Sequence, residues 1–236
     1  MDIQVIATGS DGNAYLITDG PYRLLIECGI TFKQIRKALK YDLKGIDGCL
    51  ISHEHGDHTK GLKKMAAETN IKIYASKGTL ERFELLDSQI VVIKSKTLVT
   101  INKWRILPFE TQHDAKEPLG FVIQAPGGER LLFITDSYYI KFKLPAVDYM
   151  LLECNYDDET LEESIESGAT APFLASRVRK SHFSLNNVKT FLKANDLTRL
   201  KGITLIHISN KNGDPLRYKK EIQELTGVPV KIGGAE

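Results

Sequence analysis

The hexapeptide His53–His58, H-E-H-G-D-H, constrains this chain more than any other stretch. Three histidines and two acids occupy six consecutive residues. They follow Gly48–Ser52, G-C-L-I-S, whose unbroken apolar character predicts a buried strand. A chain that ends a buried strand in such a cluster needs a fold that presents strand ends at one sheet edge, where sites form. Gly56 lets the loop fold tightly between the side chains. Neutral imidazole and carboxylate oxygen are good donors for zinc and for harder ions such as manganese. A single histidine is usually a hydrogen-bonded core or surface residue, but this spacing after a strand reads as a metal motif.

The other three histidines follow the same grammar. His113 follows I-L-P-F-E-T-Q, His207 ends the strand pattern G-I-T-L-I, and His182 lies in S-H-F-S-L before a predicted helix. Asp136 ends the apolar run L-L-F-I-T. Around them, β-type runs alternate with Gly/Asp turns near the start (I-Q-V-I-A, A-Y-L-I-T, R-L-L-I-E), and strands return between 90 and 125. Arg130–Thr135 and Tyr149–Glu153 read as buried strands. Thr31–Lys40 predicts a helix capped by Thr31. Further helices are expected near 59–69, 78–87, 158–167, 185–194 and 215–225, with strands at 71–75, 202–208 and 228–232. Strands and helices mix in both halves, with no linker, repeat or low-complexity tract. A single domain over residues 1–236 is the expectation.

Three cysteines, Cys28, Cys49 and Cys154, stand in or beside apolar runs and form no C-x-x-C pair. They read as buried reduced thiols, which points to a cytoplasmic protein without cysteine zinc sites. Asp2, Asp11 and Asp19 break any signal-peptide pattern, and no apolar run approaches the ~20 residues of a membrane helix. The formal net charge of +2 is too mild to argue nucleic-acid binding by itself, though it permits an anionic substrate.

H-x-H-x-D-H with His113, Asp136 and His207 resembles the metallo-β-lactamase superfamily, over about residues 3–208. The resemblance implies an α/β (α+β) αββα four-layer sandwich, two mixed sheets flanked by helices, holding two divalent ions, zinc or manganese. It assigns His53, His55 and His113 to the first metal, Asp57, His58 and His207 to the second, and Asp136 to both. A-T-G-S-D-G-N-A-Y-L-I, T-D-S-Y-Y, L-E-C-N-Y-D and S-H-F-S-L-N-N resemble the WalJ (YycJ) type within that superfamily, a bacterial and phage group of 5′-to-3′ DNA exonucleases. This chain departs from that group at Glu27, where Asp is usual, and at Tyr156.

The implied reaction is two-metal hydrolysis of a phosphodiester by a metal-bridging hydroxide, with Asp57 among the catalytic residues. A strand-end glutamate and a loop histidine, as in tRNase Z, have matches at Glu153 and His182. The carboxylate would keep the imidazole protonated for donation to the leaving oxygen. Ser184 is a natural helix N-cap whose helix start could take a phosphate. Ser10 and Asn13 could line the pocket. Lys60, Lys63, Lys64, Lys116, Arg177, Arg179 and Lys180, with Tyr138, Tyr139 and Tyr156, would suit a nucleic-acid strand, DNA rather than RNA, by charge and stacking. The 70 residues between Asp136 and His207 leave no room for the inserted domain of RNase J, and no extension resembles the tRNA-gripping arm of tRNase Z. The competing readings are a small-molecule (cyclic nucleotide) phosphodiesterase, a thioester or lactone hydrolase, and a binding module without turnover.

Overall fold

The computed structural model describes residues 1–234. Its chain divides into two compact units, Met1–Glu110 with Ala115–Glu129, and Thr111–Asp114 with Arg130 onward. Its strands form two mixed sheets flanked by helices.

The first unit opens with a meander of β1 (Asp2–Ala7), β2 (Ala14–Asp19) and β3 (Tyr22–Ile26). Its antiparallel pairs run through the short D-G turn, as the alternating runs predict. Three parallel strands continue that sheet: β4 (Ile46–Leu50), β5 (Ile73–Ala75) and β6 (Ile90–Val92). Strands of this kind are covered on both faces, and β3–β5 end accordingly in unbroken buried runs. Gly48 is required inside β4, because a Cβ there would lie 2.7 Å from the Tyr74 ring. The expected helix at Thr31 is α1 (Phe32–Ala38). Thr31 and Gln34 exchange the reciprocal bonds of a capping box, satisfying two otherwise orphaned backbone donors. Phe32 and Ile35 of α1 pack with Leu62 and Met65 against Leu16, Leu25 and Cys49 of the sheet.

The helix expected over 59–69 is two pieces, α2 (Gly56–Thr59) and α3 (Leu62–Glu68). They break at Gly61, whose N–H reaches the Cys28 carbonyl at 2.8 Å and whose missing Cβ would lie 2.4 Å from the Ile30 carbonyl oxygen. The helix expected over 78–87 is only the turn α4 (Lys77–Leu80), capped by Ser76. Tertiary packing overrides the local pattern there, since Phe83 and Leu85 turn back onto the core. An antiparallel meander completes the unit: β7 (Val99–Ile101), β8 (Trp104–Glu110) and β9 (Leu119–Gln124). Trp104 is fully buried, as its strand context suggests, and its Nε1 donates to Asp47 at 2.9 Å.

The second unit is built on four parallel strands, β10 (Arg130–Ile134), β11 (Tyr149–Glu153), β12 (Gly202–Ile206) and β13 (Val230–Ile232). Between β11 and β12 come α5 (Asp158–Glu166), α6 (Pro172–Ser181) and α7 (Leu185–Ala194), and α8 (Pro215–Thr226) precedes β13. The sequence reading has no α6. Its signals are Pro172 at the first helical positions and Arg179 and Lys180 in the last turn. β12 ends one residue before His207 rather than at 208. Tyr156, read as an aromatic face for a strand, is instead buried against Leu161 and Ala175 between α5 and α6. All three cysteines are buried free thiols, as expected, and burial pushes the Cys28 thiol up to about 12.

Register places the side chains that matter. Ile134 pairs with Leu152, and Glu153 pairs with Ile206, so Asp136, Glu153 and His207 all emerge at the carboxyl ends of neighbouring parallel strands. That is the end at which ligands bind in open α/β sheets.

At the opposite end of this sheet Asp148 accepts from the Arg130 N–H at 2.9 Å and pairs with Arg199 at 3.0 Å and Lys201 at 3.2 Å. Burial pushes its carboxyl up, but these donors and cations overcome that and hold it below the ordinary value. A depressed carboxyl stabilises the fold above its unfolded pKa, and that contribution is lost as pH falls through the folded value. Asp148→Asn is therefore expected to cost about 1–2 kcal/mol at neutral pH. The gap to wild type closes below the ordinary carboxylate range of about 3.9. Urea unfolding of both proteins across pH checks this.

Candidate metal and catalytic centre

In the first unit the H-E-H-G-D-H loop leaves β4 and closes into α2. His53 and His55 turn ring nitrogens towards each other, Nε2 to Nδ1 at 3.1 Å, a separation that fits two donors on one small cation. Ser52 Oγ lies 2.9 Å from His53 Nδ1 and fixes that ring. His53 and His58 are buried, their ring centroids 4.2 Å apart. Asp57 is half-buried, with Oδ2 3.2 Å from His58 Nε2.

Glu27 was marked in the sequence only as a departure from the family pattern, and its position gives it a task. It is fully buried at the end of β3, with a left-handed φ of 62°. Oε1 accepts the Ser52 N–H at 3.1 Å, and Oε2 lies 3.5 Å from His58 Nδ1. Burial pushes the Glu27 carboxyl up, with the neighbouring His58 opposing. The pair orients His58, as carboxylates behind ligand histidines commonly do. The clue available in the sequence was an acid ending an apolar strand, L-L-I-E-C-G.

Asn13 and Ser10, both considered as pocket residues, differ in place. Ser10 is exposed at the turn tip. Asn13 is buried, and its side chain accepts the Gly9 N–H at 3.0 Å and donates to the Gly9 carbonyl at 3.1 Å. Its backbone N–H donates to Asp57 O at 2.8 Å, and its carbonyl accepts from Gly29 at 2.7 Å. Asn13 thus braces the histidine loop from behind. A Cβ on Gly29 would lie 1.6 Å from the Asp57 carbonyl oxygen, so the loop tolerates no side chain there. Gly29→Ala is expected to destabilise the protein by about 3 kcal/mol, the upper range for overpacking. Thermal unfolding would register this as a lower Tm.

In the second unit four side chains converge. One ligand atom from each of Asp136, Glu153, His182 and His207 lies within 4.8 Å of the others. Asp136 faces two imidazoles: Oδ1 is 3.1 Å from His207 Nδ1 and Oδ2 is 3.5 Å from His113 Nε2. Thr135 Oγ1 donates to Oδ1 at 2.8 Å. Asp136 and His207 both adopt left-handed backbone, φ 46° and 52°. Such conformations cost of order 1–3 kcal/mol each and cluster at functional sites. His113 is held through Nδ1, 3.0 Å from the Ser181 carbonyl, and burial pulls its pKa down while Asp136 opposes.

His182 caps the C-terminus of α6. Its Nδ1 lies 2.7 Å from Glu153 Oε1, the strand-end glutamate and loop histidine juxtaposed as their motifs imply. Burial alone would lower the His182 pKa. The charge and hydrogen bond of Glu153, with Asp136 beyond, overcome it and raise the pKa. Glu153 is itself fully buried. Burial pushes it up, but His182 and His207 outweigh that and hold it ionised. Its Oε2 accepts the Ser137 N–H at 3.0 Å and the Phe183 N–H at 3.2 Å, so the carboxylate is clamped on every side. Ser184 caps α7, its hydroxyl accepting the Asn187 N–H at 3.1 Å. Tyr138 is 37% exposed, two residues beyond Asp136.

Buried, oriented imidazoles and carboxylates without thiolates are the donor set of zinc and manganese sites, so these clusters suit divalent metal binding.

Comparison with known proteins agrees with this chemistry. Residues 22–208 match the model of the beta-lactamase superfamily domain. The chain is 25% identical to exodeoxyribonuclease WalJ of Streptococcus pneumoniae, over 97% of this chain and 90% of that one. It is 27% identical to exodeoxyribonuclease YycJ of Bacillus anthracis, over 68% of this chain and 65% of that protein. The metallo-beta-lactamase fold protein YhfI from Bacillus subtilis superposes with a TM-score of 0.76, at 18% identity over 98% of this chain and 95% of its own. Strand-end histidines, Asp136 between two imidazoles and the matched span lead to one assignment: the chain belongs to the metallo-β-lactamase superfamily, as a metal-dependent hydrolase.

Proposed function

We propose that this chain is a dinuclear-metal phosphodiesterase acting on DNA from its 5′ end, and that the whole chain works as one cytoplasmic hydrolase domain. The Glu153–His182 pair, Oε1 to Nδ1 at 2.7 Å, is the observation that carries this reading. Thioester hydrolysis expels a thiolate, which leaves without an acid at that place, whereas cleavage of a phosphodiester expels an alkoxide that must be protonated. His53, His55 and His113 would hold one ion, Asp57, His58 and His207 a second, with Asp136 shared. The ions would supply Lewis acidity towards a phosphoryl oxygen and lower the pKa of water.

The chain's own residues do the rest. Glu153 accepts the Nδ1 proton of His182, which leaves the proton on Nε2 free to pass to the departing oxygen. Glu27 and Ser52 hold His58 and His53 at fixed orientation. The exposed Tyr138 offers a face to the substrate. Support for DNA comes from the two exodeoxyribonuclease relatives, one aligned along nearly the whole chain.

A direct comparison of substrates tests the reaction class. A simple aryl phosphodiester should be hydrolysed with manganese or zinc, and an S-acyl glutathione thioester should not. Thioester turnover without diester turnover would reject the proposal. Cleavage of cyclic nucleotides but no polynucleotide would keep the chemistry and change the substrate.

A further inference from the structure

The chain leaves Asp136 through an irregular strap, Ser137–Val147, S-Y-Y-I-K-F-K-L-P-A-V, with no acidic residue. Within it aromatic and basic side chains interleave. Tyr138 is 37% and Tyr139 53% exposed, and Lys141 and Lys143 are exposed as well, while Ile140 between them is buried and pins the strap to the core. The backbone is tied along its length. Tyr138 N–H donates to Gln112 O at 3.1 Å, Asn187 Nδ2 donates to Tyr138 O at 3.0 Å, and Leu144 N–H donates to Asn195 Oδ1 at 3.0 Å. The exposed rings and ammonium groups are therefore presented by a fixed scaffold, which lowers the ordering cost of binding.

The arginines of α6 contrast with this. Arg177 pairs with Asp114, and Arg179 with Glu162. Among the described residues no ion pair engages Lys141 or Lys143. Exposed tyrosines carry apolar area that water does not reward, and unneutralised lysines beside them attract a polyanion. Together they match a single strand, whose bases expose stacking faces and whose phosphates follow at regular spacing. In an intact duplex those faces are hidden. Tyr138–Lys143 spans at most about 20 Å when extended, room for several nucleotides.

We propose that this strap is a binding platform for single-stranded DNA, with Tyr138 and Tyr139 stacking on bases and Lys141 and Lys143 following the backbone. This rests on the phosphodiesterase reading and narrows its substrate to an unpaired strand end beside Asp136.

The test is the anisotropy of a fluorescent phosphorothioate oligothymidylate that resists cleavage, with the metal-loaded protein. Tyr138→Ala/Tyr139→Ala should weaken binding about tenfold or more, and the Phe pair should restore it, because stacking needs the ring and not the hydroxyl. Lys141→Gln/Lys143→Gln should reduce the slope of log affinity against log salt by about 1.4, two single-strand phosphate contacts. Circular dichroism checks that each variant is folded. Wild-type affinity in the Ala pair, an unchanged salt slope, tighter binding of a matched duplex, or binding of an RNA strand but not DNA would each overturn the proposal. Wild-type hydrolysis of an aryl phosphodiester, run alongside, separates the failures: no hydrolysis rejects the phosphodiesterase reading, whereas hydrolysis with unaltered strand binding in the variants rejects only the strap.

Discussion

Asp136→Ala is expected to abolish phosphodiester hydrolysis and to lower the metal content of the purified protein. Asp136 is 3% exposed and presents one carboxylate oxygen to His207 and the other to His113, at 3.1 and 3.5 Å. No neighbour can replace it: Glu153 already accepts two backbone N–H groups and faces His182 and His207. In the proposed centre Asp136 is shared by both ions, so its loss would remove several kcal/mol of transition-state stabilisation, about a 1,000-fold loss or more. Elemental analysis with turnover measurements checks both halves. Full metal content with full activity in Asp136→Ala would remove the residue from the centre.

His182→Ala is the second large effect and separates proton donation from metal binding. Turnover of a phosphodiester with a poor leaving group should fall about 100- to 10,000-fold, the range for one general acid. Metal content should stay at the wild-type level, because His182 is held by Glu153 and is not among the proposed ligands. An activated leaving group needs little protonation, so an aryl diester should lose much less. Equal losses on both substrates would reject the general-acid role, and so would unchanged turnover.

Much of the centre was legible in the sequence because strand ends announce themselves. A run such as L-L-F-I-T or M-L-L-E commits the backbone to a buried parallel strand, and the polar residue that ends it must emerge at the sheet edge. Asp136, Glu153 and His207 were found in that way. Cap chemistry is equally local, so Thr31 and Ser184 stand where their side chains predict.

What escaped was decided by contacts distant in sequence. Asn13 reads as a pocket-lining turn residue until the Asp57 carbonyl is placed against its N–H, 44 positions away, which makes it a brace behind the loop. Glu27 stands in the sequence only as a departure from the family's Asp until His58 and Ser52 are placed beside its carboxylate. The 78–87 segment has helical propensity, but Phe83 and Leu85 gain more by packing on the core. Helix α6 lacks a side-chain cap and is only weakly amphipathic, and the apolar contacts that hold it, Ala175 and Val178 against Tyr156 and Leu161, come from other elements.

The most direct test of the central claim is a time course of an end-labelled DNA duplex carrying an unpaired, 5′-phosphorylated overhang, with added manganese and with Asp136→Ala beside it. Stepwise release of nucleotides from the 5′ end by the intact protein, absent in the variant, is the result expected. An undegraded overhang after incubation with wild-type protein carrying two bound metals would contradict it.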